Sequence, residues 1–302
     1  MENKTKIIII GGPTATGKTK LSVSLAKKFS GEIISADSVQ IYKKLDIGSA
    51  KPTKEEMEEI PHYMIDIIEP TDSFSVCDFV MRAKAHIEDI SARGKLPIIV
   101  GGTGLYISSL VDNVNFTETE TDYSLRDELL KKAENIGAEA LHDELLKIDP
   151  ESAERIHPNN IKRVVRALEI YYQTGKTMTQ HNARSKTVPS PYDFKMYALS
   201  SERSLIYDRI NRRVDSMVEN GLFGEVSYLL ASGVTRDMQS MQGIGYKEIV
   251  SYFEGNLTKD EAIEKVKQNS RRYAKRQLTW FTRDERYMWL DIAKDIDIDS
   301  LV

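Results

Sequence analysis

Residues 7–29, IIIIGGPTATGKTKLSVSLAKKF, decide the fold. Four isoleucines run into a glycine-rich turn, and an amphipathic stretch follows at once. Gly12, Gly17, Lys18 and Thr19 fit G-x-x-x-x-G-K-[ST], in the strand–loop–helix context that the motif requires. The reading is a phosphate loop formed by Gly12, Pro13, Thr14, Ala15, Thr16, Gly17, Lys18 and Thr19. Its backbone N–H groups and the start of the helix attract anionic oxygens, and Lys18 adds a point charge. Thr19 is the hydroxyl expected on a magnesium ion that bridges two phosphate groups. Beyond the loop, Leu21, Leu25 and Phe29 recur four apart with Ala26 beside them, giving one apolar stripe to lay on a sheet. Lys20, Lys27 and Lys28 face water on this reading.

Further short apolar runs alternate with helical patterns. They are Lys6 to Ile10, Glu32 to Ser35, Met64 to Ile68, Pro97 to Val100 and Phe194 to Leu199. Strands separated by helices predict a parallel sheet covered on both faces. Between about residues 114 and 192 the strand-like runs vanish, and charged helical segments such as SLRDELLKKAENIG and NIKRVVRALEIYYQTG take over. The expected architecture is a P-loop NTPase-like α/β core, 1–113 with 193–302, interrupted by a helical insertion at 114–192. One continuous domain with long helical crossovers is the competing organisation.

Composition narrows the function classes. The 302 residues are 40% hydrophobic and 29% charged, as in an ordinary globular protein, and the net charge is −4. An acidic total does not favour a polyanionic partner, so nucleic-acid binding would need local basic clusters. Three are present: Lys162, Arg163 and Arg166; Arg209, Arg212 and Arg213; and Lys265, Lys267, Arg271, Arg272, Lys275 and Arg276. Tyr273, Trp280 and Phe281 lie beside the last, either to stack on bases or to fill core. The single cysteine, Cys77, excludes an internal disulfide and a zinc framework. MENKTKIIIIGG has too short an apolar run for a signal peptide or a membrane span, so the expected setting is cytoplasmic.

A phosphate loop built for nucleotide hydrolysis also needs an acid at the end of a second strand. LPIIV runs into GGTGLY with no acid, and Asp66 in MIDII falls in mid-strand. The acid that does follow a strand is Asp37, in GEIISADSVQIY. Ligands bind at that edge of an open parallel sheet, so Asp37 should face the phosphates, with an N-cap role for Asp37 or Ser38 as the alternative.

GPTATGKT, ISADSVQIYKKLDIGSAKPT, IPHYMIDI, IIVGGTGLYI, RALEIYYQTGK, QGIGYKE and YAKRQLTWF occur in this order from Gly12 to Phe281. As an ordered set they resemble the tRNA dimethylallyltransferases. The departures are Tyr63, where a second histidine is expected, and Thr282, which separates Phe281 from Arg283. The resemblance implies a phosphate loop that takes dimethylallyl diphosphate rather than ATP. It implies transfer of the prenyl group to the exocyclic amine of adenosine 37 in the tRNA anticodon stem-loop. Asp37 would be the base, Thr103 would reach the phosphate oxygens, and Arg126 would close over the diphosphate; helix-capping and solvent-facing roles are the respective alternatives for the last two. By the same resemblance tRNA contacts fall to Asp37, Ser38, Val39 and Gln40; to Lys162, Arg163, Val164, Val165 and Arg166; and to Gln242, Gly243, Ile244, Gly245, Tyr246 and Lys247. Mg2+ is the expected cofactor and a monomer the expected state. A small-molecule kinase, an adenylate isopentenyltransferase and a non-enzymatic RNA-binding module stay open as alternatives.

Overall fold

The computed structural model describes residues 4–114, 123–185 and 189–302. Residues 1–3 of the N-terminal stretch, and 115–122 and 186–188 of the expected insertion, lie outside the described residues. The chain divides into two compact units, 1–111 with 191–302, and 112–190.

The first unit begins with β1 (Thr5–Gly11), α1 (Lys18–Lys28), β2 (Gly31–Ser35), the single turn α2 (Lys54–Met57), β3 (His62–Tyr63), α3 (Val76–Ala92), β4 (Leu96–Val100) and α4 (Gly104–Val111). The second unit is helical: α5 (Tyr123–Ile136), α6 (Ala138–Ile148), α7 (Pro150–Arg155), α8 (Ile161–Thr174) and α9 (Met178–Ser185). The first unit resumes with β5 (Tyr192–Ser200), α10 (Arg203–Glu219), α11 (Leu222–Ala231), α12 (Tyr246–Phe253), α13 (Lys259–Thr282) and β6 (Tyr287–Asp291).

Six strands form one parallel sheet in the order β3-β2-β4-β1-β5-β6. Ile7, Ile8, Ile9 and Ile10 are all buried, because a parallel strand covered on both faces tolerates no polar alternation. Ile8 and Ile10 meet Leu21, Leu25 and Ala26 of α1 on one face, with Phe29 packed against the same cluster. Lys20, Lys27 and Lys28 are exposed. In the second unit Leu129, Leu141, Leu145, Val164, Val165 and Leu168 build a separate core.

The run 64–68 is not the strand its composition predicts. Met64 and Asp66 have φ of 65° and 56°, which no extended strand accepts. The run pairs instead with the chain at 40–43, with Asp66 N donating to Gln40 O at 3.1 Å and Ile67 N to Ile41 O at 2.8 Å. Lys51 holds this arrangement, bonding the Asp66 carboxylate, Asp46 Oδ1 at 2.5 Å and Tyr42 O at 2.9 Å. The edge strand β6 was not read from the sequence. Its Met288 and Trp289 are exposed, so it lacks the buried apolar signature of the inner strands.

Candidate active site

Three strand ends are stitched into one row. Gly101 N donates to Ile10 O at 3.1 Å, Ala36 N to Val100 O at 2.7 Å, and Thr103 N to Ala36 O at 3.2 Å. A Cβ on Gly101 would stand 2.1 Å from Ala36 O, so only glycine permits that approach. The phosphate loop, the turn at Asp37 and the turn at 101–103 therefore share one edge of the sheet.

Residues 12–19 form the phosphate loop between β1 and α1. Gly12 has φ 126° and Gly17 has φ 81°, and α1 starts directly after Gly17 with no acid in its first turn. Ala15 is also left-handed, at φ 64°. Such a conformation costs a non-glycine residue on the order of 1–3 kcal/mol and is tolerated where the surroundings over-determine it. Thr16 Oγ1 donates to Pro13 O at 2.8 Å and braces the loop from inside. Lys18 Nζ folds back onto the loop, donating to Gly12 O at 3.0 Å and Pro13 O at 2.7 Å. Burial, together with nearby Arg213 and against the pull of Asp37, lowers the Lys18 pKa to about 7.

Arg213 of α10 is the second cation here. Its Nη1 donates to Thr14 Oγ1 at 3.1 Å and its Nη2 to Ala50 O at 3.3 Å. Burial lowers its pKa, with Asp37 and Glu56 acting the other way. The sequence groups Arg213 with Arg209 and Arg212 as an RNA-facing cluster. The structure splits that cluster: Arg213 turns onto the phosphate loop, while exposed Arg212 pairs with Asp208 at 2.5 Å one helical turn earlier. In the α13 cluster, Lys267 pairs with Asp215 at 2.5 Å and Arg271 with Glu264 at 3.0 Å.

Asp37 follows β2 in a tight turn. Its Oδ1 accepts from Val39 N at 2.8 Å and Gln40 N at 3.2 Å. Its other oxygen takes no hydrogen bond among the described residues, and Asp37 lines the cleft together with Lys18 and Thr19. Thr103 is half-buried beside the cleft-lining Gly101 and Gly102. Its hydroxyl accepts from Ser38 N at 3.1 Å and lies 3.4 Å from Ser38 Oγ, so it braces the Asp37 turn. Gln40, expected to contact tRNA, lines the cleft but spends its amide within the protein. Its Nε2 donates to Ser49 O at 3.3 Å and Ala50 O at 3.2 Å, and its Oε1 accepts from Ser35 Oγ at 3.2 Å.

Of the stretch 242–247, Gln242, Gly243, Ile244 and Lys247 line the cleft. Tyr246 does not reach it: the ring is fully buried, and its hydroxyl donates to Glu225 Oε1 at 2.8 Å. Gly245 is buried with it. In the helical unit, Val164 and Val165 are core residues and present no side chain to a partner, because α8 turns them inward with Leu168. Lys162 and Arg163 are exposed on its other face. Arg166 and Arg126 both hold Glu169, which is fully buried. Arg126 does so with two nitrogens, Nε at 3.1 Å and Nη2 at 2.8 Å from Oε2. The arginine expected to close over the diphosphate is thus committed to a carboxylate within its own unit.

The cleft has a volume of about 740 Å³, and its lining residues all belong to the first unit. Four groups escaped the sequence reading. Gln277 of α13 reaches Thr14 and Gly102; Glu56 and His62 line the wall; Glu225 accepts from the backbone N–H groups of Asp46 at 2.9 Å, Ile47 at 2.7 Å and Gly48 at 3.0 Å, and so fixes the loop that carries Ser49 and Ala50. A signal existed for Gln277, a polar residue on the helix face shared by the buried Ala274 and Phe281. No comparable signal marks Glu225, which resembles any exposed helical acid.

Residues 40–284 match the family described as IPP transferase. A tRNA dimethylallyltransferase from Halalkalibacterium halodurans is 51% identical over 99% of this chain and 95% of that protein. The crystal structure of a full-length tRNA isopentenylpyrophosphate transferase from Bacillus halodurans superposes with a TM-score of 0.73 at 50% identity, covering 98% of this chain and 93% of that one. A eukaryotic dimethylallyltransferase acting on tRNA gives a TM-score of 0.81 at 32% identity, over 95% of this chain and 74% of that one. With a half-identical relative over nearly its full length, and a phosphate loop and an Asp37 turn on one cleft, this chain belongs to the tRNA dimethylallyltransferase (IPP transferase) family.

Proposed function

We propose that the chain transfers the dimethylallyl group of dimethylallyl diphosphate to the exocyclic amine of adenosine 37 in tRNA, releasing diphosphate. One observation carries the reading: the phosphate loop with Lys18 and Arg213 opens onto the same cleft as the uncommitted oxygen of Asp37. In the reaction the amine nitrogen forms a bond to C1 of the prenyl group and the C1–O bond breaks. The electron pair leaves with the diphosphate, and the amine proton passes to Asp37. An adenine amine is a poor nucleophile because its lone pair is delocalised into the ring. A placed base typically contributes ~10²–10⁴-fold to such a step. The departing diphosphate gathers charge, which the loop N–H groups, Lys18 and Arg213 stabilise. Lys18 must leave the Gly12 and Pro13 carbonyls to do so, and phosphate oxygens are stronger acceptors than those carbonyls.

The donor set suits magnesium. Thr19 lines the cleft beside Lys18 and Asp37, and a single hydroxyl is a sufficient protein ligand for magnesium carried on a phosphate substrate. Thr19 Oγ1 would supply the protein ligand and substrate oxygens and water the rest; the ion would neutralise charge on the leaving group. For tRNA, exposed Lys162 and Arg163 fit backbone phosphates, and Gln242 and Lys247 fit the segment entering the cleft. The target adenosine leaves its stack to reach the base. Arg126 could join the diphosphate only by giving up Glu169.

The test is incubation of the chain with labelled dimethylallyl diphosphate, magnesium and unmodified tRNA, followed by nucleoside analysis. Label on adenosine 37 is expected. ATP turnover without transfer would move the assignment to a kinase, transfer to free adenylate to a nucleotide prenyltransferase, and tRNA binding with no transfer to an RNA-binding module.

A further inference from the structure

The two halves of the cleft, the phosphate loop and the Asp37 turn, are joined by no direct hydrogen bond among the described residues. Two side chains bridge them: Arg213, from Thr14 Oγ1 to Ala50 O and so to Gln40 of the Asp37 turn, and on the side of the 101–103 turn Gln277. Oε1 accepts from Thr14 N at 3.0 Å, and Nε2 donates to Gly102 O at 3.0 Å. Gly102 leads into Thr103, whose hydroxyl accepts from Ser38 N at 3.1 Å and so holds the turn that carries Asp37. Gln277 is 5% exposed on a helix otherwise rich in charge, and a Cβ on Gly102 would stand 2.1 Å from its Nε2. Tyr273, one helical turn before Gln277, lines the same cleft.

A primary amide suits this place for a chemical reason. It must accept from an N–H at one end and donate to a C=O at the other, which the uncharged amide of Gln does at a fixed spacing on a side chain long enough to reach both. A buried amide with both ends satisfied has one orientation and cannot slide. We infer that Gln277 is a positioning residue that fixes the phosphate loop relative to the Asp37 turn, and with it the separation between the departing diphosphate and the group that takes the amine proton. The inference rests on the functional reading above and adds to it a residue that touches neither reacting atom.

The test compares wild type with Gln277→Leu, which keeps the bulk and loses both bonds, and Gln277→Glu, which can still accept from Thr14 N but sets a carboxylate oxygen against Gly102 O. Single-turnover transfer is measured with both substrates saturating, dimethylallyl diphosphate and tRNA affinities are measured separately, and thermal melts accompany them. A displacement of about 1 Å in a reacting pair costs up to roughly 10²-fold. The saturated rate of Gln277→Leu should therefore fall about 10- to 100-fold, Gln277→Glu should lie between it and wild type, and both affinities should hold within a few-fold. A folded Gln277→Leu with a saturated rate within about twofold of wild type would overturn the inference, as would a loss confined to affinity. If Gln277→Leu does not fold, Gln277→Glu decides by the same rate criterion. A wild-type chain that transfers nothing would overturn the functional reading, and this inference with it.

Discussion

Asp37→Asn separates the two jobs that the structure gives this residue. Oδ1 holds the turn through Val39 N and Gln40 N, while the second oxygen faces the cleft without a partner. Asparagine keeps an acceptor at Oδ1 and turns the second oxygen into an amide nitrogen with no basic lone pair. For the turn the loss is only charge assistance. Hydrogen bonds to charged groups contribute roughly 1.5–3 kcal/mol and neutral ones about 0.5–1.5, so destabilisation of about 1 kcal/mol is expected. For the chemistry, loss of a general base predicts a rate lower by ~10²–10⁴-fold. That equals about 2.7–5.5 kcal/mol of transition-state stabilisation, well above the cost to the turn. The assay is single-turnover transfer at saturating tRNA and dimethylallyl diphosphate, so that product release cannot mask the step. Both affinities should change little, because the loss falls on the transition state. If Asp37 only forms the turn, Asn does so nearly as well, and a near-normal rate would refute the base assignment.

The remaining predictions concern charge and stability. With a pKa of about 7 in the ligand-free protein, Lys18 is mostly neutral at pH 8 and regains its proton when diphosphate arrives. Titration calorimetry in buffers of different ionisation enthalpy should show proton uptake on binding that is larger at pH 8 than at pH 6, and no uptake at pH 8 would refute it. The same depression means that the unfolded chain binds the extra proton between pH 7 and 10.5, so ligand-free stability should rise with pH across that window and Lys18→Met should abolish this component. Glu225→Ala removes the acceptor of three loop N–H groups and the Tyr246 hydroxyl, and should cost about 2–3 kcal/mol in denaturant unfolding. An unchanged midpoint would mean that the loop is held otherwise. Arg163→Ala should reduce the salt slope of tRNA binding by about 0.7–0.9, whereas Arg126→Ala, which leaves Glu169 buried beside Arg166 alone, should appear as a stability loss of about 3–5 kcal/mol. An unchanged slope would take Arg163 out of the interface, and an unshifted unfolding midpoint would show that Arg166 alone satisfies Glu169.

What the sequence determined by itself was everything that depends on neighbours along the chain. The strand, phosphate loop and helix at 5–28 are legible because hydrophobic period, glycine φ freedom and the Lys18–Thr19 pair are local properties. The inner strands β2, β4 and β5 were legible for the same reason, and the ordered motifs carried the family. Tertiary structure alone decided the run at 64–68, which reads as a strand until Lys51 and the backbone at 40–43 claim it. It alone decided the fate of the arginines, since Arg126, Arg163, Arg166 and Arg213 are interchangeable in a sequence and part company only when Glu169 and Thr14 are placed. Gln277 and Glu225 gain their meaning from partners 263 and about 180 residues away along the chain. A hydrogen bond is a few ångströms long and blind to sequence separation, so periodicity can say which face a residue occupies but not which group will be waiting there.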